Sequence, residues 1–346
     1  MGASDLQEFI DQVARLISSS RRYEGETLSV YAVVNPQAGF LSHRRRLRRA
    51  IESVRRHLGQ MHVSGAPVQT RIAVTEYSGH ARVLAERAEQ YLTGCSSPLL
   101  LSAGGDGTHR DILSGVLSSG LQSPVYRLPA GTGNDSADAP TMDAAFERAS
   151  ELAVQTPQAA IEARSSDGAV YHAFNVASFG LDAVISGVTN RLKGSHLPGN
   201  MYTLVADIAT LLYVPLIGIP PARIVWREGP VQHEVAGKFA LAAMGAGGNR
   251  RYGGGKPILP DHRNLCIIRL PPLIQRISLK KQVYYGTHLD RTEVIPATAE
   301  ALTIYSDERL PFQFDGEMVW IEPEAFPVHM TVIPDAWLSV QPAQKS

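Results

Sequence analysis

Residues 99–117, LLLSAGGDGTHRDILSGVL, hold the densest set of groups able to do chemistry. Gly104, Gly105 and Gly107 surround one carboxylate, Asp106, and a hydroxyl, Thr108, follows. Leu99–Leu101 read as a buried strand, and Ile112, Leu113, Val116 and Leu117 as the core face of a helix, so GGDGT is the turn between them. Glycines let backbone amides approach a bound group closely. A helix opened by glycines attracts anions, because its free N–H groups and its dipole both favour negative charge. Thr108, with Asp111 three residues on, fits a capping box. Asp106 would repel a bound phosphate unless a divalent cation bridged them, so the pattern points to a magnesium nucleotide. The glycines alone would equally fit a plain strand–helix turn.

Two further strand ends carry small polar turns. Val125–Asp135, VYRLPAGTGND, ends in Thr132, Asn134 and Asp135, and Leu28–Gly39, LSVYAVVNPQAG, ends in Asn35, Pro36 and Gly39. Ligands of open α/β sheets bind beyond the carboxyl ends of strands. Asn35-Pro36 by itself is also an ordinary turn. Together the three turns predict one phosphate cradle.

The segments NPQAG, AGGDGT and PAGTGND, in that order, resemble the diacylglycerol kinase catalytic domain family, which includes sphingosine, ceramide and bacterial lipid kinases. FNVASFGLD (Phe174–Asp182) and FDGE (Phe314–Glu317) fit the same pattern, and the likeness spans roughly residues 28–338. The resemblance implies ATP bound by Asn35, Pro36, Gly39, Thr75, Gly104, Gly105, Asp106, Gly107, Thr108, Thr132 and Asn134. It implies Mg2+ near Asp106 and Asp135, and a carboxylate of the DGE turn, Asp315 or Glu317, as base toward a lipid hydroxyl. Thr75 could equally begin a helix cap and Asp135 could be a helix N-cap, while DGE is also a common hairpin turn. GGDGT is shared with NAD kinases, which makes an NAD kinase-like enzyme the alternative; PAGTGND and the late DGE fit the lipid kinases better.

Three positions depart from the family pattern. Arg110 and Asp111 stand where Asn-Glu usually follows GGDGT. Phe40 follows the NPQAG turn where a cation is common, and Arg44–Arg46 are the nearest. The loop GGGKPILPDHRNL is shortened, leaving Asp261 as its one acid for a structural magnesium. These departures motivate a further alternative, a lipid-binding regulatory protein that has lost turnover.

The surrounding elements must present three strand ends together. Strands at 28–34, 68–75, 98–103 and 124–128 alternate with helical stretches at 42–58, 79–93, 108–118 and 141–155, which predicts a doubly wound parallel sheet. From about 160 short β-like runs dominate (169–178, 222–228, 235–244, 264–270, 300–305, 311–314, 318–321 and 328–333), with one helix at 199–213. The expected fold is α/β, with a nucleotide domain over 28–158 and a β-sandwich-like lipid-substrate domain over 159–346. Residues 1–27 form an extension whose 4–20 segment, capped by Ser4, is an amphipathic helix. That helix either packs on the domain or serves membrane contact or dimerisation.

The 346 residues carry 33 basic and 33 acidic side chains, so global charge offers no case for nucleic-acid binding. The positive charge is local: His43–Arg49, HRRRLRR, continues through Arg55-Arg56 around a buried stripe of Leu47, Ile51, Val54 and Leu58. This face is either simply solvated or drawn to anionic lipid headgroups, each basic residue adding about 1 kcal/mol near such a surface. Met201–Leu216 is apolar on several sides, fitting pocket lining or membrane contact. Asp207 and Pro215 make it poor material for a membrane span. Two isolated cysteines and an acidic N-terminal segment without a basic leader predict a cytoplasmic protein, peripheral to the membrane at most.

Overall fold

The structure, a computed structural model, describes residues 3–60, 66–131, 134, 136–193, 219–252 and 256–343. It divides into two units, 1–158 with 334–346, and 159–333.

The first unit alternates α1 (Ala3–Ser18), β1 (Leu28–Val34), α2 (Arg44–Gln60), β2 (Val68–Val74), α3 (His80–Leu92), β3 (Ser97–Gly104), α4 (Asp106–Ser119), β4 (Val125–Pro129) and α5 (Met142–Ser150), ending with the start of β5 (Leu152–Ser165). The strands pair in parallel in the order β2-β1-β3-β4. Every residue of β1 is buried, as a central parallel strand covered on both faces requires, whereas the edge strand β2 alternates between half-buried and exposed. Phe9, Leu16, Val30, Leu47, Leu101, Tyr126 and Phe146 share one core. Thus α1 belongs to the core of this unit.

The second unit continues β5 with β6 (Val170–Ala173), β7 (Val176–Gly180), α6 (Leu181–Lys193), β8 (Pro221–Glu228), β9 (Val231–Gly245), β10 (Arg250–Tyr252), β11 (Lys256–Leu259), β12 (Leu265–Arg269), α7 (Leu273–Tyr285), β13 (Val294–Ala297), β14 (Ala301–Tyr305), β15 (Leu310–Phe314), β16 (Glu317–Ile321) and β17 (Val328–Pro342). Its pairings are antiparallel. The first half of β9 pairs with β8 and its last residues with β7 and β12, so one long strand serves two sheets. Side chains from both, including Ile224, Trp226, Leu302, Phe179, Met244 and Phe312, pack into one core. That arrangement is sandwich-like.

Several expectations change. The helix expected over 141–155 stops at Ser150, because Val154, Thr156 and Pro157 suit the strand β5 better than a helix. The run 169–178 is two strands broken at Phe174-Asn175, and α6 and α7 were not foreseen. Pro272 before α7 and left-handed Gly286 after it are the start and stop signals that mark it. Residues 334–346 belong to the first unit, where the sequence reading put all of 159–346 in the second; Ser339 on β17 stands in parallel register with Val125. The helix expected at 199–213 and the segment Met201–Leu216 lie outside the described residues. Among those described, no helix is long and apolar enough to cross a membrane.

Candidate active site

The carboxyl ends of β1, β3 and β4 are tied together by backbone hydrogen bonds. Asn35 N donates to Ala103 O at 2.9 Å, Ala130 N to Gly104 O at 2.9 Å, and Phe40 N to Ala130 O at 2.8 Å. The Asn35 side chain works at both ends: Oδ1 accepts from Gln37 N at 3.0 Å, and Nδ2 donates to Thr108 Oγ1 at 3.0 Å. Pro36 and Gly39 lie in that same turn, both half-buried. Thr108 therefore sits inside the first turn of α4 and pairs with Asn35, rather than capping the helix. Gly105 takes the cap position, with no side-chain bond.

The close approach of these turns requires glycine. A Cβ on Gly104 would collide with the Thr108 side chain, and one on Gly105 would stand 3.1 Å from Gly131 Cα. Gly107 lies within the first turn of α4. Asp106 opens that helix, and its Oδ1 accepts from Ser136 N at 2.9 Å and Ser136 Oγ at 2.6 Å. Asn134 Oδ1 is buried and has no hydrogen-bond partner among the described residues. Thr132 and Asp135 lie outside the described residues.

Groups that the motifs do not contain hold this end of the sheet. Arg127 on β4 forms an ion pair with Asp138 at 2.8 Å, and Asp138 also accepts from Arg127 N at 2.6 Å. The Arg127 guanidinium lies 4.8 Å from the Trp337 ring centroid. Asp138 thus returns the loop after Pro129 to the strand that it left. His109 is fully buried, with Nδ1 2.6 Å from Ser102 Oγ. Burial, reinforced by the Arg127 guanidinium, pushes its pKa down to about 4. Arg110 pairs with its neighbour Asp111 at 2.9 Å, so the charge introduced next to GGDGT has a local counter-ion. Thr75 is half-buried, and its N–H extends the β2–β1 pairing to Val34 O at 2.9 Å.

In the second unit Asp315 and Gly316 form the two-residue turn between β15 and β16, with φ of 49° and 89°. Asp-Gly is the pair suited to a turn with both central residues left-handed. The Asp315 carboxylate points back into the unit: Oδ2 accepts from Phe174 N at 2.6 Å, and Oδ1 from Asn175 N and Val176 N at 3.0 Å each. Gln313, fully buried, accepts from Gly316 N at 2.6 Å and donates to Ser178 Oγ at 2.7 Å, and Ser178 in turn bonds Asp182. Glu317, two residues beyond Asp315, is exposed. The FNVASFGLD and FDGE segments are therefore one hydrogen-bonded structure, and Ser178, Asp182 and Gln313 are parts of it that residue-type reasoning did not single out. The signal for Ser178 and Asp182 was present in the matching segment itself.

Asp261 does not stand as an open metal ligand. Its carboxylate takes Arg263 Nε at 2.8 Å and Arg263 N at 2.9 Å, and these contacts hold its pKa below the usual carboxylate range. Among the described residues, no group of three or more His, Cys, Asp or Glu side chains is arranged to hold a metal ion.

Residues 29–164 match the model of the diacylglycerol kinase catalytic domain. The chain is 26% identical over 273 residues to a Pseudomonas fluorescens protein named "Probable lipid kinase YegS-like", covering 77% of this chain and 84% of that one. It is 23% identical over 259 residues to a diacylglycerol kinase of Staphylococcus carnosus, covering 73% and 79%. Its fold is shared with a crystal structure described as a diacylglycerol kinase from Bacillus anthracis, with a TM-score of 0.57 at 16% identity over 91% of this chain and 97% of that one. The motifs, the matched segment and the relatives all point to the diacylglycerol kinase catalytic domain family.

Proposed function

We propose that this protein is an ATP-dependent lipid kinase that transfers the γ-phosphate of Mg-ATP to the hydroxyl of a diacylglycerol- or sphingoid-type lipid. The observation carrying this reading is the division of labour in the DGE turn. Asp315 spends both carboxylate oxygens on three backbone N–H groups, while Glu317, on the same turn, is exposed. Asp315 is the positioning residue, and Glu317 is the carboxylate that accepts the proton of the lipid hydroxyl.

The strand-end cradle supports the nucleotide half of the reading. Backbone N–H groups at the start of α4, closely approachable at Gly104 and Gly105, suit polyphosphate. Asp106 fits a divalent cation: Ser136 fixes one of its oxygens, and the other receives no hydrogen bond from the described residues. The orphaned Oδ1 of Asn134 is a second oxygen donor in the same turn system. When bound, magnesium would neutralise phosphate charge as the γ-phosphoryl group leaves. The chain's own part is positioning: Asn35 and Thr108 hold two turns in register, and Arg127–Asp138 holds the third.

A bilayer substrate calls for a docking face. On α2, Arg45, Arg46, Arg48 and Arg49 are exposed, while Arg44 and Arg55 pair with Asp5 and Glu8 of α1. We assign these four exposed arginines to anionic headgroups.

The test is incubation with labelled ATP and magnesium against diacylglycerol, sphingoid bases, ceramide and NAD. Labelled lipid is the expected product. Labelled NAD with no lipid product would overturn the reading in favour of an NAD kinase-like enzyme, and no product from any acceptor would favour a regulatory protein.

A further inference from the structure

A cavity of about 480 Å3 lies beside β1, β2 and α3, lined by Tyr31, Arg71, Leu84, Arg87, Gln90 and Tyr91 among others. Leu84, Arg87 and Tyr91 recur at i, i+3 and i+7, one face of α3, directed at the strands. Arg71 and Tyr31 stand side by side in the β1–β2 register. The Arg71 guanidinium lies 5.6 Å from the Tyr91 ring centroid, and the two tyrosine rings are 5.8 Å apart. The Tyr31 phenol is buried, which raises its pKa, while the charges of Arg71 and Arg87 pull it back down.

Neither guanidinium forms an ion pair or hydrogen bond among the described residues. The acids of α3 do not answer them: Glu86 pairs with Arg82, and Glu89 falls off this face. Two cations sharing a concave site with no counter-ion repel each other, and an anion that bridges them removes that cost. Guanidinium forks match phosphate oxygens bidentately, and the Tyr31 hydroxyl and Gln90 amide add neutral hydrogen-bonding groups. Tyr31 precedes Asn35 by four strand residues, about 13 Å at strand rise, so this is not the strand-end cradle.

We propose that Arg71 and Arg87 form an anion site, separate from the strand-end turns, that binds a phosphate group, carried either by a soluble phosphate compound or by a phospholipid headgroup. The site stands independently of the kinase reading.

The full chain is labelled with phenylglyoxal, and the modified arginines are mapped by mass spectrometry at constant ionic strength. Inorganic phosphate at about ten times its dissociation constant should slow modification of Arg71 and Arg87 about tenfold, with Arg45 and Arg49 unaffected. Protection by inorganic phosphate assigns the site to soluble phosphates. Protection only by phosphatidylcholine vesicles containing phosphatidylglycerol assigns it to a headgroup. The variant Asp106→Asn should keep the protection, while Arg87→Gln should remove it from Arg71. Equal labelling of Arg71 and Arg87 with chloride, phosphate and vesicles would overturn the proposal, as would protection that vanishes in Asp106→Asn.

Discussion

Asp106 and Ser136, thirty residues apart, are joined twice: one carboxylate oxygen accepts both the backbone N–H and the hydroxyl of the serine. Asp106 therefore holds the loop that follows Pro129, and the proposed kinase gives its other oxygen a second job at the bound nucleotide. The two can be separated. Asp106→Ala should lower turnover by about 10²–10³ or more, because it removes electrostatics aimed at the transferring phosphoryl group. Ser136→Ala loses only the hydroxyl contact, worth about 1 kcal/mol, and should leave most of the turnover. Phosphate transfer from labelled ATP, together with circular dichroism to check the fold, measures both. Near-wild-type turnover in Asp106→Ala would remove Asp106 from the site.

The DGE turn separates in the same way. Asp315→Asn replaces one acceptor oxygen with an NH2 donor facing backbone N–H groups of Phe174–Val176, so at least one buried N–H loses its partner. The expected cost is about 1–3 kcal/mol of stability for each such group, seen as a lowered Tm. Glu317→Gln is exposed and should leave Tm unchanged while lowering kcat far more than it changes the KM for ATP. If Asp315→Asn kept full stability and Glu317→Gln kept full kcat, the two roles would be misassigned.

Much of this was legible in the residue string, for identifiable reasons. Buried parallel strands read as continuous apolar runs, so LSVYAVV and LLL were visible as β1 and β3. Asn35, Gly104 and Thr108 were visible as types suited to phosphate, but the bond between Asn35 and Thr108 spans 73 residues, and no local pattern encodes it. The Asp-Gly turn was visible too, yet the inward aim of Asp315 depends on N–H groups some 140 residues earlier. Asp138 carries no local signal, because its partner Arg127 lies 11 residues earlier, across the PAGTGND turn. The helical pattern expected to 155 gives way at Leu152, where Val154, Thr156 and Pro157 favour a strand.

Buried His109 gives the first unit an acid sensitivity. Its pKa is about 4 in the folded protein against about 6.5 when unfolded, so between these values the unfolded state binds the extra proton. The stability that neutral His109 allows is complete above pH 6.5 and is lost as pH falls toward 4, at most about 3 kcal/mol in all. Denaturant midpoints of the wild type and His109→Gln, compared at pH 7.5 and 4.5, isolate this contribution. The wild type should lose more stability over that interval than the variant. Parallel losses in the two proteins would show that the histidine titrates normally and that other groups set the acid limit.

The arginine face of α2 makes a prediction about membranes. Arg44 and Arg55 are engaged by Asp5 and Glu8 of α1, so they anchor helix to helix and contribute less to an outward field. Arg45, Arg46, Arg48 and Arg49 are exposed on a chain whose net charge is zero, and the field they make is local. If they meet anionic headgroups, co-sedimentation with vesicles should rise with the fraction of phosphatidylglycerol. It should weaken with salt, as the screening length contracts from about 10 Å at 0.1 M to about 3 Å at 1 M. At about 1 kcal/mol for each basic residue near the surface, replacing all four with glutamine should weaken vesicle binding by about two to three orders of magnitude. The same variant should bind ATP normally, since none of the four lies in the strand-end turns. Replacing Arg44 and Arg55 instead should reduce vesicle binding much less while loosening α1 from α2, detectable as a lower Tm. Binding indifferent to lipid charge, salt and the four substitutions would leave these arginines as a solvated helix face.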